Sequence, residues 1–159
     1  MGSLSVLCGF HFLPMPTKLL AKQKGEWAEV CFAAEVLRRG WRISRPYGDS
    51  CRYDCIVDVA GHLSRVQIKA VAARSNARFR PYTVSLIHHK HYYLLYSARE
   101  VDVMAVLILP QAMWYLVPLT AVKGRRHISF AGNQKITGGL EKYREAWEVL
   151  KGIGRSVIG

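Results

Sequence analysis

Apolar and polar positions along the chain change period three times. In "KLLAKQKGEWAEVCFAAEVLRRGW", Trp27, Val30, Cys31, Ala34 and Leu37 recur at helical spacing, with Thr17 the expected N-cap and Gly40 the expected C-terminal stop. Glu35 has Arg38 and Arg39 three and four residues on, the setting of a solvated ion pair. Glu29 differs. Its neighbours one and two turns on are Phe32, Ala33 and Val36, so this acid stands on an apolar face, where it is either hydrogen-bonded or aimed into a site.

The period then shortens. "WRISRP" (41–46) reads as a short strand, "YGDSC" as a loop, and "YDCIVDVAGHLSRVQIKA" as two strands with a turn at Ala60-Gly61-His62. Residues 71–81 form a basic loop. In "YTVSLIHHKHYYLLY" the first six residues read as strand, and the rest as loop, strand or short helix. "VDVMAVLILP" is a nearly continuous apolar run bounded by Asp102 and Pro110, the pattern of a strand buried on both faces. "MWYLVPL" and "ISF" read as further strands, the latter between the loops "KGRRH" and "AGNQKITGG". Helical spacing returns in "LEKYREAWEVLKG", where Leu140, Tyr143, Ala146/Trp147 and Leu150 align.

This order predicts an α/β fold: a central mixed sheet of about five strands flanked by an N-terminal and a C-terminal helix. Trp27, Trp41, Trp114 and Trp147 sit in apolar patterns and are expected in the core. No linker or repeat divides the chain, so residues 17–151 are read as one domain, with an extension at 1–16 and a tail at 152–159.

Composition narrows the class of partner. The 159 residues carry 23 Lys+Arg against 11 Asp+Glu, a net charge of +12. Residues 59–99 hold no acid but seven Lys/Arg, and residues 103–140 no acid but four. A long basic tract in a folded domain points to a polyanion, with nucleic acid the leading candidate. Cys8, Cys31, Cys51 and Cys55 form no CxxC pair, and the Cys51/Cys55 spacing has no second pair to complete a zinc site, so reduced thiols and a cytoplasmic location are expected. The apolar start, "MGSLSVLCGFHFLPMP", lacks a basic n-region and a cleavage pattern and is too short and interrupted to span a bilayer; no membrane association is expected.

Polar residues in the hairpin stretch "RYDCIVDVAGHLSRVQIKA" supply candidate chemistry. Gln67 and Lys69 alternate onto one strand face. Asp54 joins that face if the connecting loop has an even number of residues, and leaves it if the number is odd. The sets Cys55/Val57/Val59 and Val66/Ile68/Ala70 are apolar and form the expected core face. With an even loop a carboxylate, an amide and an ammonium gather at one end of a strand pair, where Glu29 could approach from the helix. Carboxylate and carbonyl oxygens suit a hard divalent cation such as Mg²⁺, and a lysine suits a phosphate or an activated water.

The order of acid, about a dozen residues, then Gln-x-Lys, preceded by a helix with "KGEWAE", resembles the PD-(D/E)xK nuclease superfamily. It is most similar to the group I intron homing endonuclease subgroup, in which the motif reads D…QxK. "KGEWAEVCFAAEVLRRGW", "GDSCRYDCIVDVAGHLSRVQIKA" and "VDVMAVLILPQAMWYLVPL" with "EKYREAW" carry the resemblance over residues 17–150. It implies a restriction-endonuclease-like core and a Mg²⁺-dependent hydrolase of DNA phosphodiester bonds. It also implies roles: Asp54 the principal metal ligand, Glu29 the helix acid beside the metal, Gln67 the second ligand, the Ile68 carbonyl completing the shell, and Lys69 polarising the attacking water or steadying charge on phosphorus.

Two residues depart from the wider pattern. Tyr53 stands where proline is usual, and the neutral Gln67 removes one negative charge. The second departure keeps open a nucleic-acid-binding module of the same fold without the chemistry; a junction-resolving or repair nuclease is a further alternative. For a nuclease, double-stranded DNA is the expected substrate, and one site per subunit facing two strands predicts a homo-oligomer, dimer or tetramer. Phosphate contacts are expected from Arg74, Arg78 and Arg80 beside Phe79 and Tyr82, from Lys90 in "HHKH", and from Lys123, Arg125 and Arg126 in "KGRRH". Asp58, near the turn, is read as solvated, and Asp102 as hydrogen-bonded locally.

Overall fold

A computed structural model of the protein describes residues 19–48, 50–74, 81–89, 94–132 and 139–152, with the backbone alone at His89. Helix α1 (Ala21–Arg38) begins after Leu20, whose N–H donates to Gln23 Oε1 at 2.9 Å. The expected cap Thr17 lies outside the described residues. Gly40 does end the helix: it takes φ +74°, its N–H reaches Leu37 O at 2.9 Å, and Trp41 N–H reaches Val36 O at 3.2 Å. That pair of bonds is a Schellman closure, and its left-handed residue favours glycine. Glu35 pairs with Arg38 at 2.6 Å and with Arg39, as its spacing implied.

The buried stripe of α1 differs from the expected one. Ala28, Cys31, Phe32 and Val36 are buried, whereas Val30 and Leu37 are exposed. Two apolar sets overlap in this segment, and the one that contains Phe32 wins. Its ring packs between Trp114 and Trp147, with centroids 5.4 and 5.7 Å away, and aromatic area dominates the burial energy.

Among the described residues nine strands follow the helix: β1 (Arg42–Ser44), β2 (Cys55–Val59), β3 (His62–Val71), β4 (Tyr82–Ser85), β5 (Ile87–His89), β6 (Leu94–Leu95), β7 (Val103–Ile108), β8 (Met113–Pro118) and β9 (His127–Phe130). The central sheet has five strands in the order β1-β2-β3-β7-β8, with β3 and β7 parallel and the other pairs antiparallel. β4 pairs with β9, and β5 with β6, as two-stranded ribbons. The expected mixed five-stranded α/β architecture is therefore observed.

β7 is buried along its whole length. Val103, Ala105 and Leu107 face a core shared with α1, Trp114 and Trp147, whereas Met104, Val106 and Ile108 face a second core built with Tyr82, Val84, Ile128 and Phe130 of the β4–β9 ribbon. The apolar sets of the hairpin join the first core: Cys55, Val57, Val66 and Ile68 are buried there, with Val59 and Ala70 against them. Trp114 and Trp147 are buried, and Trp27 and Trp41 are partly buried at the rim of that core.

The C-terminal segment corrects the reading of an α-helix. Glu141–Tyr143 and Trp147–Lys151 are short 3-10 turns, separated by Glu145 at φ +49°. Here β8 is an open sheet edge, and Glu145 satisfies it. Its N–H donates to Trp114 O at 2.8 Å, and its carboxylate accepts from Trp114 N–H at 2.7 Å and from Trp147 Nε1 at 2.8 Å. Covering an edge strand outweighs helix propensity in this stretch. Leu140, Ala146, Trp147 and Leu150 still face inward, so the apolar spacing identified the right residues on a different backbone.

Among the described residues no helix is long and apolar enough to cross a membrane.

Candidate active site

The β2–β3 connection decides the site. Val59 pairs with His62, which leaves a two-residue loop, Ala60-Gly61, with φ of +52° and +89°. Two positive φ values make this the tight hairpin turn whose twist matches the strands, and Gly61 suits its second position. Asp58 closes the turn by accepting the Gly61 N–H at 2.8 Å, and its other oxygen lies 3.7 Å from Arg42 Nη1. Asp58, part-exposed as expected, is thus also a turn cap. The even loop sets the register Cys55↔Val66, where β2 begins, and just before it the Asp54 N–H also donates to Val66 O, at 2.9 Å. The Asp54 carboxylate is thereby brought to the Gln67 amide at the end of the paired stretch.

At this end β2 begins at Cys55 while β3 runs on to Val71. Among the described residues no strand pairs with this edge of β3 beyond Val66, and the Asp54 side chain takes it over. Asp54 Oδ2 accepts from Ile68 N–H at 2.6 Å and from Gln67 Nε2 at 2.7 Å. A residue's N–H and C=O point to the same side of a strand, so the Ile68 carbonyl also faces this open edge. Gln67, 9 % exposed, is one of two buried polar residues among those described. Burial pushes the Asp54 carboxyl above the usual range, opposed by the Ile68 N–H, the Lys69 charge and the Gln67 amide.

Glu29 comes to the same place from α1. Its carboxyl is also raised, first by burial and next by the negative charge of Asp54. Arg45, directly after β1, lies 3.5 Å from Glu29 Oε2, and its positive charge favours ionisation of both acids. Lys69 Nζ sits 5.2 Å from the centroid of the Tyr96 ring, which in turn contacts His88 at 5.4 Å. Asp54, Gln67, Ile68, Lys69 and Glu29 are therefore brought together.

Sequence reasoning did not single out Arg45 or Tyr96. Neither carries a local signal: Arg45 reaches the acids because β1 pairs with β2, and Tyr96 reaches Lys69 through a segment whose structure was ambiguous. Asp102 is held away from the site. It binds Arg65 through Nε at 2.9 Å, Nη2 at 2.9 Å and the backbone N–H at 2.8 Å, which ties β3 to the start of β7.

The expected phosphate-contacting residues divide. Lys123, Arg125 and Arg126 are exposed in the turn before β9. Arg74 is half-buried, its guanidinium 4.5 Å from the Tyr82 ring centroid and its Nη1 3.3 Å from Ala131 O. Arg78, Arg80 and Lys90 lie outside the described residues.

Residues 19–149 match the model of the PD-(D/E)XK endonuclease family. The chain belongs to that family. Among solved structures it is similar to the bacterial homing endonuclease I-Ssp6803I, with a TM-score of 0.68 and 23 % identity over 85 % of this chain and 94 % of that one. A Holliday junction resolvase from the archaeal hyperthermophile Archaeoglobus fulgidus matches at TM-score 0.48 and 19 % identity, over 67 % of this chain and 84 % of that one. No curated protein matches the chain at a significant level. Membership of the PD-(D/E)XK family and the likeness to the homing endonuclease agree on the fold: a mixed sheet with the hairpin at its heart.

Among the described residues no three His, Cys, Asp or Glu side chains gather as a metal cluster. A cation at this PD-(D/E)XK site would instead use two carboxylates and neutral oxygens. The donor set suits a hard divalent ion: Asp54 Oδ1, which accepts no hydrogen bond among the described residues, the Glu29 carboxylate, the Ile68 carbonyl and Gln67 Oε1. Two desolvated carboxylates that repel each other are also the arrangement such a charge relieves.

Proposed function

We propose that this chain is a Mg²⁺-dependent endonuclease that hydrolyses phosphodiester bonds of double-stranded DNA. The observation that carries the reading is the meeting of Asp54, Glu29, Gln67, the Ile68 carbonyl and Lys69 at the open end of the β2–β3 hairpin. Asp54, Glu29, Gln67 and the Ile68 carbonyl would hold the ion. When bound, it supplies Lewis-acid stabilisation of charge on the phosphate and the leaving oxygen.

The chain's own residues do the rest. Asp54 is fixed by two hydrogen bonds through one oxygen, which leaves the other to bind without reorganising. Lys69 donates from Nζ to the attacking water or to a phosphate oxygen and steadies the negative charge that develops. The water oxygen forms its bond to phosphorus as the ester P–O bond opposite breaks, the water's proton passes to solvent, and the leaving oxygen takes up a proton from solvent to depart as the alcohol. Lys123, Arg125 and Arg126 contact backbone phosphates, so affinity falls steeply with salt. One site per subunit serves one strand, so the working form is a homo-oligomer, dimer or tetramer.

Cleavage of a supercoiled plasmid with and without Mg²⁺ tests this reading. Wild type is expected to nick and linearise the plasmid only with the metal, and Asp54→Ala and Lys69→Ala to lose at least 100-fold in rate. Variants that cut like wild type would place the site elsewhere. A wild type that binds duplex DNA and cuts none would assign the neutral Gln67 to a binding module of the same fold.

A further inference from the structure

The β4–β9 ribbon has two unlike faces. Tyr82, Val84, Ile128 and Phe130 are buried against the sheet, and Thr83, Ser85, His127 and Ser129 are exposed on the other side. The register pairs Thr83 with Ser129 and Ser85 with His127, so the four polar groups form a compact square. Thr83 and Ser129 hold one another at 3.0 Å, an ordinary cross-strand pair. Ser85 and His127 are not so engaged. Ser85 Oγ accepts the Ile87 N–H at 3.2 Å and keeps its own proton to donate, and His127 makes no hydrogen bond among the described residues.

A cleft of about 870 Å³ joins this face to the candidate site. Lys69, Val71 and Ala72 of β3 and the segment after it line it together with Thr83, Ser85 and His127. The exposed basic turn of Lys123, Arg125 and Arg126 leads directly into His127. The charges thus stand at the end of the ribbon and the short neutral donors and acceptors on its face. That is the division expected where charges hold the backbone and uncharged groups meet base edges.

We propose that the outer face of the β4–β9 ribbon enters the DNA major groove, and that Ser85 and His127 read base edges there. A two-stranded ribbon is of a width the major groove admits. A histidine ring N–H can donate to N7 or O6 of guanine, its other nitrogen can accept from an exocyclic amine, and the Ser85 hydroxyl can pair with several edges. The inference rests on the endonuclease reading and adds to it the residues that choose the sequence.

The test is cleavage of a randomised duplex library with Mg²⁺, with the cut ends sequenced. Wild type is expected to show a positional preference. His127→Ala and Ser85→Ala are each expected to flatten it by roughly 10- to 100-fold at neighbouring positions to one side of the cut. Both side chains are exposed, and a merely structural effect would slow all sequences alike. Arg125→Ala is expected to lower cleavage of all sequences and keep the preference. Variants that retain the wild-type preference overturn the proposal, as does a wild type that cuts without preference; both leave the nuclease reading standing. A wild type that cuts nothing, or an Asp54→Ala variant that cuts equally, overturns the nuclease reading itself and the proposal with it.

Discussion

Gln67 holds Asp54: its Nε2 donates to Asp54 Oδ2 at 2.7 Å, on the same oxygen that takes the Ile68 N–H at 2.6 Å. An acid at the second motif position would repel Asp54, whereas an amide fixes it. The same amide has one oxygen left, so under the proposed function one residue would both orient the first metal ligand and offer a second. The lost negative charge is set against a gain in order.

Asp54→Asn separates stability from activity. The folded state raises the Asp54 pKa, chiefly by burial, so it binds that proton more tightly than the unfolded chain does. The resulting penalty is absent below the unfolded pKa and is fully present once pH exceeds the folded one. Asn keeps an oxygen for the Ile68 and Gln67 donors and carries no charge. The variant is expected to melt a few degrees higher than wild type at pH 7, the response to on the order of 1 kcal/mol in a chain of this size, and to lose cleavage. The advantage in Tm should shrink as pH falls towards 4. An unchanged or lower Tm at pH 7 would refute the burial argument.

Gln67→Glu tests the amide's role by thermal shift. It replaces a donor with a carboxylate facing Asp54, so the metal-free variant is expected to melt below wild type by a few degrees. Mg²⁺ should then raise its Tm by more than it raises that of wild type, because a third carboxylate increases affinity and ligand binding stabilises by mass action. Equal metal-induced shifts in the two proteins would remove Gln67 from the metal's surroundings.

Tyr96 positions Lys69. The ammonium stands 5.2 Å from the ring centroid, a cation–π contact worth about 0.5–1 kcal/mol at a part-exposed site. Tyr96→Phe keeps the ring face and is expected to retain kcat within about twofold. Tyr96→Leu is expected to lower kcat about two- to fivefold with little change in KM, since it frees the lysine without touching DNA contacts. Equal losses in Phe and Leu variants would point to the hydroxyl instead.

The sequence was most informative where period and register coincide. The alternation from Cys55 to Ala70 identified the core face, and the two-residue loop then fixed the register beside which the Asp54 carboxylate meets the Gln67 amide. The double burial of β7 was legible for the same reason, since its apolar run has no polar partner to alternate with. Misreadings arose where two patterns fit one stretch. In α1 the stripe with Phe32 displaced the one with Val30 and Leu37 because the large ring fills the gap between two tryptophans. At the C-terminus the edge of β8 drew Glu145 out of a helix, a demand that no local sequence records. Arg45 and Tyr96 escaped for a related reason: each meets the site through a long-range pairing.

Cysteine reactivity offers a check of the whole arrangement in the intact protein. Cys51 is exposed, while Cys31 and Cys55 are buried and their thiols are pushed up to about 11 and about 12. Burial is the larger cause in both, and for Cys55 the negative charge of Asp54 comes next. Only the thiolate reacts, so at pH 8 the reactive fraction is roughly one in a thousand for Cys31 and lower still for Cys55. Iodoacetamide at pH 8, read by peptide mass spectrometry, is expected to modify Cys51 at least 10-fold faster than either. Denaturant should abolish the difference. Asp54→Asn removes the neighbouring negative charge and is expected to speed Cys55 labelling relative to Cys31, because it lowers the Cys55 thiol alone. A Cys55 that labels as fast as Cys51 in the folded protein would contradict the burial of the hairpin's first strand, and with it the placement of Asp54.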